Sequence, residues 1–594
     1  MINGRDIGIN FDEQGIARVN VWAPNAKNVE LNLVGRKVDI ELSQTALGYW
    51  EVITTQIKPG DTYSFIVDGK ELPDPASLSQ PESVHGPSEA IDLNDFGWTD
   101  SKWENPSQKD YIIYEIHTGT FTDEGTFEGI ANKLDHLLDL GITAIEIMPV
   151  AQFPGSRNWG YDGVFPFAVQ NSYDSAKGLM KLVDACHKKG LAVILDVVYN
   201  HIGPEGNYFT EFGAYFTDKY KTPWGNAINF DDAWCDAVRH YYVENALMWF
   251  RDFHIDALRL DAVHAIKDFS PKHILQEIKE NVDQLMDQTH KIHYLMVELD
   301  LNDHRFINPI IKCGYGMDAQ WVDEFHHALR VAASGERDGY YSDFNGIVDL
   351  AKSYKDAYVY DGVYSAHRLK TFGNKVADNT GSQFVVFSQN HDQVGNRMLG
   401  ERSSQLFSFE MQKLMAGAVL TSPYLPLLFM GEEWSAQTPF QYFISHNDPE
   451  LIEMVRKGRK QEFAAFHTKG EAPDPQAEET FERSKLNWNE MNSKMLDYYK
   501  AIISLRKTTP ALSHLNRKNL TVVCNENEQI LTLTRWDNEQ TVCCLMNFSK
   551  QQRSIDLPTN ENWNLILNSA DVKWNGAGTL VDHIQPQSLI IFSN

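Results

Sequence analysis

A chain of 594 residues exceeds what a single hydrophobic core sustains, so about two to four domains are expected. Hydrophobic residues make up 42% and charged residues 23%, the balance of an ordinary globular protein rather than of a disordered or fibrous one. A formal net charge of −28 would repel nucleic acid and anionic membranes and suits a neutral substrate. Aromatics at 12% supply flat faces for sugar rings, although core packing accounts for most of them equally well.

The six cysteines (Cys186, Cys235, Cys313, Cys524, Cys543, Cys544) show no C-x-x-C spacing, so neither zinc nor a dense disulfide framework is expected. The opening MINGRDIGINFDEQG has no basic segment followed by an apolar one, and no run of 18 apolar residues occurs. The chain is therefore expected to be cytoplasmic, without nucleic-acid or membrane partners. Its oligomeric state is left open.

Residues 1–95 alternate apolar and polar over Ile16–Trp22, Val29–Val34, Tyr49–Ile53 and Tyr63–Val67, with turn residues between them, which predicts a small β-sandwich. The Pro- and Ser-rich stretch Leu72–Ser88 is expected to be an extended loop. From Tyr111 the pattern changes to apolar runs alternating with helical periodicity. Candidate strands are Ile112–Ile116, Ala144–Met148, Leu191–Val198, Ile255–Leu260, Tyr294–Glu298, Met317–Val322 (the weakest), Phe384–Phe387 and Leu425–Met430. Helices are expected over Phe127–Leu140, Ser175–Lys189, Asp232–Phe253, Pro271–Thr289 and Ser493–Arg506, the first two ending at Gly141 and Gly190 as glycine C-caps. Eight strand–helix alternations predict an α/β fold, a (β/α)8 TIM barrel over 96–510. An open doubly wound sheet is disfavoured, since no G-x-G-x-x-G or P-loop follows the first strand. Alternation returns over Leu520–Val523, Ile530–Arg535, Thr541–Met546 and Leu589–Phe592, predicting a C-terminal β-sandwich over 511–594. The polar segment Thr468–Glu479 reads as a mobile loop.

Charged residues interrupt His254–His264 in the middle of an otherwise buried strand. Arg259 and Asp261 lie two apart and so share a face. A structural ion pair is the plain account of one R-x-D. Other strands end similarly, however: Asp196–His201, Glu298–Asp300 and Ser388–Asp392. In a barrel all these ends converge on one rim, which favours a catalytic site. Carboxyl groups without a metal signature suit glycosidic-bond chemistry, where one carboxylate attacks and one acid protonates the leaving oxygen. Arg259 would keep Asp261 ionised and fix its rotamer, whereas Glu298, with no basic neighbour in sequence, would hold its proton.

The stretches DVVYNH (196–201), ALRLDAVH (257–264), VELD (297–300) and FSQNHDQVGN (387–396) resemble the four signature regions of the α-amylase superfamily of glycoside hydrolases. The resemblance implies that Asp261 is the nucleophile, Glu298 the general acid/base and Asp392 the transition-state stabiliser. It implies further that His201, Arg259 and His391 bind the sugar at the cleavage site and that Tyr161 stacks on it, a core aromatic being the alternative. Within the superfamily the chain is most similar to the trehalohydrolase family, through VHAI (263–266), WVDEFHHAL (321–329), QNHDQVGNRMLGER (389–402) and FMGEEW (429–434). By that resemblance Leu260, Ala262, Val263 and His264 flank the nucleophile. Asp323, Glu324, Phe325, His326 and His327, with His391, Gln393, Val394, Gly395 and Asn396, line the site beside it. Glu324 and His326 are expected to hydrogen-bond the trehalose end of the substrate. The plain account of DEFHHAL is a helix start with an acidic first turn.

Ala257 replaces a glycine common in the second region, and Leu299-Asp300 makes the third region the weakest match. Glu146, Glu432 and Glu433 are the competing acids. Asn200 matches a position that ligates calcium in some amylases, but one Asn is no calcium site. Neither a metal nor a cofactor is expected. The expectation is a retaining hydrolase that cuts the α-1,4 bond beside the terminal trehalose of maltooligosyl trehalose. The alternatives are a branching or debranching enzyme and a non-catalytic amylase-like binding subunit.

Overall fold

The computed structural model describes residues 2, 4–464, 472–538, 540–557 and 562–594. The first four residues of the expected Thr468–Glu479 loop lie outside the described residues. The remainder is irregular as far as Ala477, where a short helix, Glu478–Glu482, begins.

Two antiparallel sheets build the N-terminal region. One orders Gly8–Phe11, Ala17–Trp22, Tyr49–Thr54 and Ser43–Gln44; the other is built on Val38–Glu41, Val29–Leu33, Thr62–Val67 and Lys70–Leu72, with Ser88–Glu89 pairing Thr62–Val67. Their facing side chains Val19, Val21, Leu31, Trp50 and Phe65 are buried, as period-2 alternation requires.

Eight parallel strands then close a barrel: β1 (Ile113–Ile116), β2 (Ala144–Ile147), β3 (Ala192–Val197), β4 (Ala257–Leu260), β5 (Tyr294–Val297), β6 (Ala319–Trp321), β7 (Phe384–Phe387) and β8 (Leu425–Phe429), with β8 returning to β1. The expected (β/α)8 class is thus the observed one. A separate interior cluster contains Ile113, Ala144, Ala192, Ile194, Ala257, Met296, Ala319, Trp321, Val385, Phe387 and Leu427. The alanines on four strands make room for Trp321 and Phe387. Two residues further along the same inward faces the side chains become charged: Glu115, Glu146, Asp196 and Arg259, with Glu115 paired in register to Glu146 and Asp196 to Arg259. The barrel is plugged below and charged above.

Phe127–Leu140 is two helices, Phe127–Ala131 and Leu134–Leu140, separated at Asn132–Lys133. Phe127, Ile130, Leu134 and Leu137 keep helical spacing across the break, so periodicity alone does not reveal it. Later helices that matter below are α1 (Cys235–Arg251), α2 (Asp323–Ser334), α3 (Pro449–Ala464) and α4 (Ser493–Thr508). No helix among the described residues is long and apolar enough to cross a membrane.

The C-terminal region has a five-stranded antiparallel sheet, with Asn564–Asn568 as a strand that sequence alternation does not show, and a two-stranded pair, Arg553–Ser554 with His583–Ile584. It is fastened to the barrel by Arg535, which donates to the carbonyls of Thr421, Ser422, Leu512 and His514. Arg506 on α4 donates to Leu420, Ser422 and Tyr424. Both cations sit at the C-terminus of the helix Phe409–Leu420, where carbonyls lack intrahelical partners.

At the opposite end of the barrel the segment after the N-terminal sheets is stapled by charge. His187 bridges Asp100 at 2.8 Å and Asp256 at 2.9 Å, and Trp103 stacks on its ring while donating to Asp256. Burial opposes the charged imidazole, but bonds to both carboxylates outweigh it and raise the His187 pKa. A raised pKa contributes stability that is fully present below the unfolded value near 6.5 and is lost as pH rises through the folded value. In urea unfolding, His187→Gln should therefore cost most at pH 6, and the gap from the parent should shrink at pH 9. An equal gap at both values would remove the ionic account.

Candidate active site

The charged layer is centred on Arg259, whose side chain is 0% exposed. Its Nη1 donates to Asp196 at 2.7 Å and to Asp261 at 2.8 Å, and lies 3.3 Å from the Tyr161 hydroxyl. Its Nη2 is 3.7 Å from Glu298, and the guanidinium packs over Trp321 at 4.5 Å. β4 delivers the arginine and β3 delivers Asp196 opposite it, while Asp261 follows the last residue of β4 and its N–H donates to Val197. Asn200 holds the Asp261 carboxyl from the far side at 3.0 Å and its carbonyl at 2.8 Å.

Glu298 follows β5 and accepts the Ala262 N–H at 2.7 Å. Ala262 supplies that N–H from a left-handed conformation, φ 41°, which costs a non-glycine residue energy and here aims an amide at a carboxyl. Burial raises the Glu298 pKa to about 8; Arg259 opposes the rise, and Asp261, Asp323 and Asp392 reinforce it. The sequence expectation of a proton-holding Glu298 reached this direction without foreseeing that Arg259 faces it.

Asp392 sits in the short helix His391–Gly395 after β7, with the Asn390 side chain as its N-cap. Burial pushes its pKa up, but His391 at 3.3 Å overrides this and leaves it at about 2. His391 is pinned from behind by Glu115, which accepts both its N–H and its Nδ1–H, and the two carboxylates raise its pKa well above the usual range. Tyr161 stacks on the His391 ring at 5.3 Å and donates to Asp196 at 2.7 Å. His201, also buried, bonds the Tyr161 carbonyl at 2.8 Å, and Trp224 stacks flat on its ring at 4.3 Å. Trp224 comes from the turn of a hairpin, Phe216–Thr222 with Gly225–Ile228.

The structure thus brings Tyr161, His201, Arg259, Asp261, Glu298, His391 and Asp392 together. Asp323 joins them at the start of α2: burial and Asp392 raise its pKa to about 7, and Gln393 donates to it at 3.4 Å. Asn396 donates to Asp392 at 3.2 Å. Half-buried His264 lies beside the backbone of Asp300. Leu260, Val263, Phe325 and Val394 are core side chains, Phe325 packing on Tyr354 and Tyr424. Glu324 turns away and accepts the N–H groups of Val359 and Tyr360. His326 is bonded between the Ser388 carbonyl and the Tyr341 hydroxyl, and His327 is enclosed by Tyr340, Tyr341 and Phe344. Burial lowers the pKa of both histidines.

The competing acids have other surroundings. Glu432 bonds Ser388 and Tyr499, and Glu433 bonds Tyr114 and His136. Glu146 lies inside the barrel, where burial raises its pKa well above the carboxylate range. The sequence puts Asp196 at a strand end on the rim without a role of its own, and does not single out Glu115. The signal at Glu115 is the one that marks Arg259, a charged residue interrupting an apolar strand. No group of three or more potential metal ligands occurs among the described residues.

Residues 95–225 match the family model of the alpha amylase catalytic domain, and residues 6–82 that of carbohydrate-binding module 48, the isoamylase N-terminal domain. A malto-oligosyltrehalose trehalohydrolase from Saccharolobus solfataricus is 51% identical over 502 residues, covering 84% of this chain and 86% of its own. The chain belongs to the malto-oligosyltrehalose trehalohydrolases. Another trehalohydrolase of that name, from Rhizobium sp. (strain M-11), is 40% identical across 92% of this chain and 93% of its own. A putative alpha amylase from Salmonella typhimurium superposes with a TM-score of 0.90 at 35% identity, each chain covered completely. A pullulanase from Paenibacillus barengoltzii, at TM-score 0.74 and 20% identity over 99% of this chain and 95% of its own, shares the fold.

Gly395 in this trehalohydrolase-family chain is a steric requirement: a Cβ there would stand 2.1 Å from the Trp159 ring. Gly395→Ala should push the Asp392 turn off its position, lowering kcat at least tenfold with an unchanged far-UV circular dichroism spectrum. Near-native turnover would show that the turn tolerates displacement.

Proposed function

We propose that the protein hydrolyses the α-1,4-glucosidic bond next to the terminal trehalose of maltooligosyl trehalose, with retention, releasing trehalose and a malto-oligosaccharide. The observation that carries the chemistry is the convergence of three carboxyl groups on one pocket, Asp261 at 2.8 Å and Glu298 at 3.7 Å from Arg259 and Asp392 at 3.3 Å from His391, with burial raising the Glu298 pKa and His391 lowering that of Asp392. The name borne by relatives 40–51% identical over most of the chain supports the substrate.

In this reading Glu298 protonates the glycosidic oxygen while the Asp261 carboxylate attacks the anomeric carbon. The C–O bond breaks, trehalose leaves with the proton, and a covalent glycosyl-enzyme remains. Glu298, now ionised, takes a proton from water, whose oxygen displaces Asp261 and frees the malto-oligosaccharide. Asp392 holds hydroxyls of the distorted sugar, with Tyr161 beneath it and His201 and His391 at its edge. Asp323 and Gln393 are assigned to the trehalose side. Glu324 and His326 act behind them, since their polar atoms are engaged by backbone groups and Tyr341.

We place the domain boundaries near residues 95 and 510, and the protein in the cytoplasm, in keeping with six cysteines that are all unpaired. Product chromatography decides the substrate. Free trehalose from maltooligosyl trehalose supports the reading, and new α-1,6 links in glycogen would support a branching enzyme instead. Asp261→Asn and Glu298→Gln should each lower kcat on the order of a thousandfold or more with little change in substrate affinity; near-native turnover in either would remove its role. The pH–rate profile should fall on the alkaline side as Glu298 loses its proton near pH 8. A profile flat to pH 10 would exclude it as the acid.

A further inference from the structure

Asp261 and Glu298 each directly follow a barrel strand, whereas Asp392 lies beyond the end of β7 in the short helix His391–Gly395. Its position is therefore set less by the sheet than by what grips that helix. His391 lies 3.3 Å from its Oδ2, and the Asn396 amide donates to its Oδ1 at 3.2 Å. The terminal torsion of an aspartate is broad and roughly two-fold, so rotamer preference alone does not set the plane of the carboxylate. With one oxygen beside His391, the direction of the other depends on Asn396.

Asn396 is the residue after that helix, and its backbone N–H also bonds the Asp392 carbonyl at 2.9 Å. A side-chain amide can turn either its oxygen or its NH2 toward a neighbour. Here Nη1 of Arg459 donates to the Asn396 oxygen at 3.2 Å, which leaves the NH2 to face Asp392. Nη2 of the same guanidinium donates to the Gly395 carbonyl at 3.1 Å. Arg459 thus holds the end of the turn at two points, one backbone and one side chain. A planar fork does this; the point charge of a lysine would not. The guanidinium is located in turn by Tyr442, whose ring it covers at 4.7 Å. Tyr442 packs edge-on against Trp159 at 5.1 Å, and the Trp159 N–H is bonded to the Gln441 carbonyl at 2.9 Å.

Arg459 belongs to α3, which follows β8 in the chain and supplies none of the residues assigned above. Its plain account is a tie that fastens α3 to the barrel. Such a tie needs the bond to the Gly395 carbonyl, but gives no reason for a second bond to a side chain whose other end meets Asp392. We propose that Arg459 is a positioning residue: acting through Asn396, it fixes the plane of the Asp392 carboxylate toward the hydroxyls of the distorted sugar, which rests on the stabilising role given to Asp392 above. The two accounts part at Asn396→Asp. That change keeps an acceptor for Arg459, and so keeps the tie. It also sets a carboxylate oxygen where an NH2 donor faced Asp392, and like charges at that distance repel.

The test uses the full chain and maltooligosyl trehalose. Arg459→Ala should lower kcat on the order of tenfold while KM changes by less than about twofold, since the support is lost where the transition state needs it. Thermal unfolding should show the variant folded, with a midpoint near the parent's. The double variant Arg459→Ala with Asn396→Ala should be no slower than Asn396→Ala alone, because the arginine acts through that amide. Asn396→Asp should also lose roughly tenfold or more in kcat. Multiplying losses in the double variant, or a near-parental kcat in either Arg459→Ala or Asn396→Asp, would overturn the proposal. A crystal structure of Arg459→Ala reads the same point without substrate. The Asn396 NH2 should stand beyond hydrogen-bond distance of Asp392, and a bond kept as in the parent would overturn the proposal as well. Failure of the substrate reading would show differently, as no trehalose from the parent, and would leave that structural comparison standing.

Discussion

One guanidinium sets the charge balance of the pocket at the barrel's rim. Arg259 is wholly buried, and a buried cation costs several kcal/mol unless it is paired and hydrogen-bonded. Asp196 and Asp261 satisfy it directly and Glu298 stands just beyond bonding distance. His391 is the second cation, spent between Glu115 and Asp392. The carboxyl groups in and under the pocket still outnumber these two positive charges, so they cannot all ionise together. Protons therefore remain on the group that burial penalises most and the cations serve least. Glu298, with an arginine at 3.7 Å rather than 2.8 Å, is such a group, and Asp392, against His391, is the reverse. At Glu298 burial is the larger cause, reinforced by Asp261, Asp323 and Asp392 and only partly opposed by Arg259.

The same requirement explains why arginine occupies this position. Two carboxylates approach one nitrogen, a third acid lies near another, and an indole covers the guanidinium plane. A lysine ammonium is a point charge without a plane, and could not both bridge Asp196 to Asp261 and stack on Trp321. The left-handed Ala262 and the N-capped turn at Asn390 place the two acids on either side of this fixed point. Each of those features is local, which is why short sequence stretches carry so much of the site.

That locality bounds what the sequence discloses. The barrel strands are legible because an apolar run of four to six residues needs no context, and the charged interruptions mark the rim because burial makes them expensive anywhere else. DEFHHAL was less legible. Five successive residues from Asp323 turn through more than one revolution of helix at about 100° each, so they cannot all face one pocket. Asp323 meets the site, Phe325 enters the core, and Glu324 and His326 bind backbone on other sides. The break at Asn132–Lys133 was hidden because apolar spacing continues across it, and the strand Asn564–Asn568 because asparagines bracket its three apolar residues.

Asp196 and Glu115 mark the remaining gap between pattern and site. Neither is positioned to touch a sugar ahead of the groups they serve: Asp196 anchors Arg259 and the Tyr161 hydroxyl, and Glu115 grips His391 from behind. Sequence patterns rank residues by the chemistry their side chains can perform, whereas these two act by fixing the charge and direction of another group. Their requirement follows from the arithmetic of the pocket. Without Asp196 the arginine would turn more fully to Asp261 and Glu298, strengthening its hold on the ionised form of Glu298 and drawing its proton away. Without Glu115 the imidazole would lose one of the two carboxylates that keep it charged, and Asp392 would lose part of the pairing that keeps it ionised. The layer beneath the pocket thus fixes the two cations, Arg259 and His391, that the acids above it face.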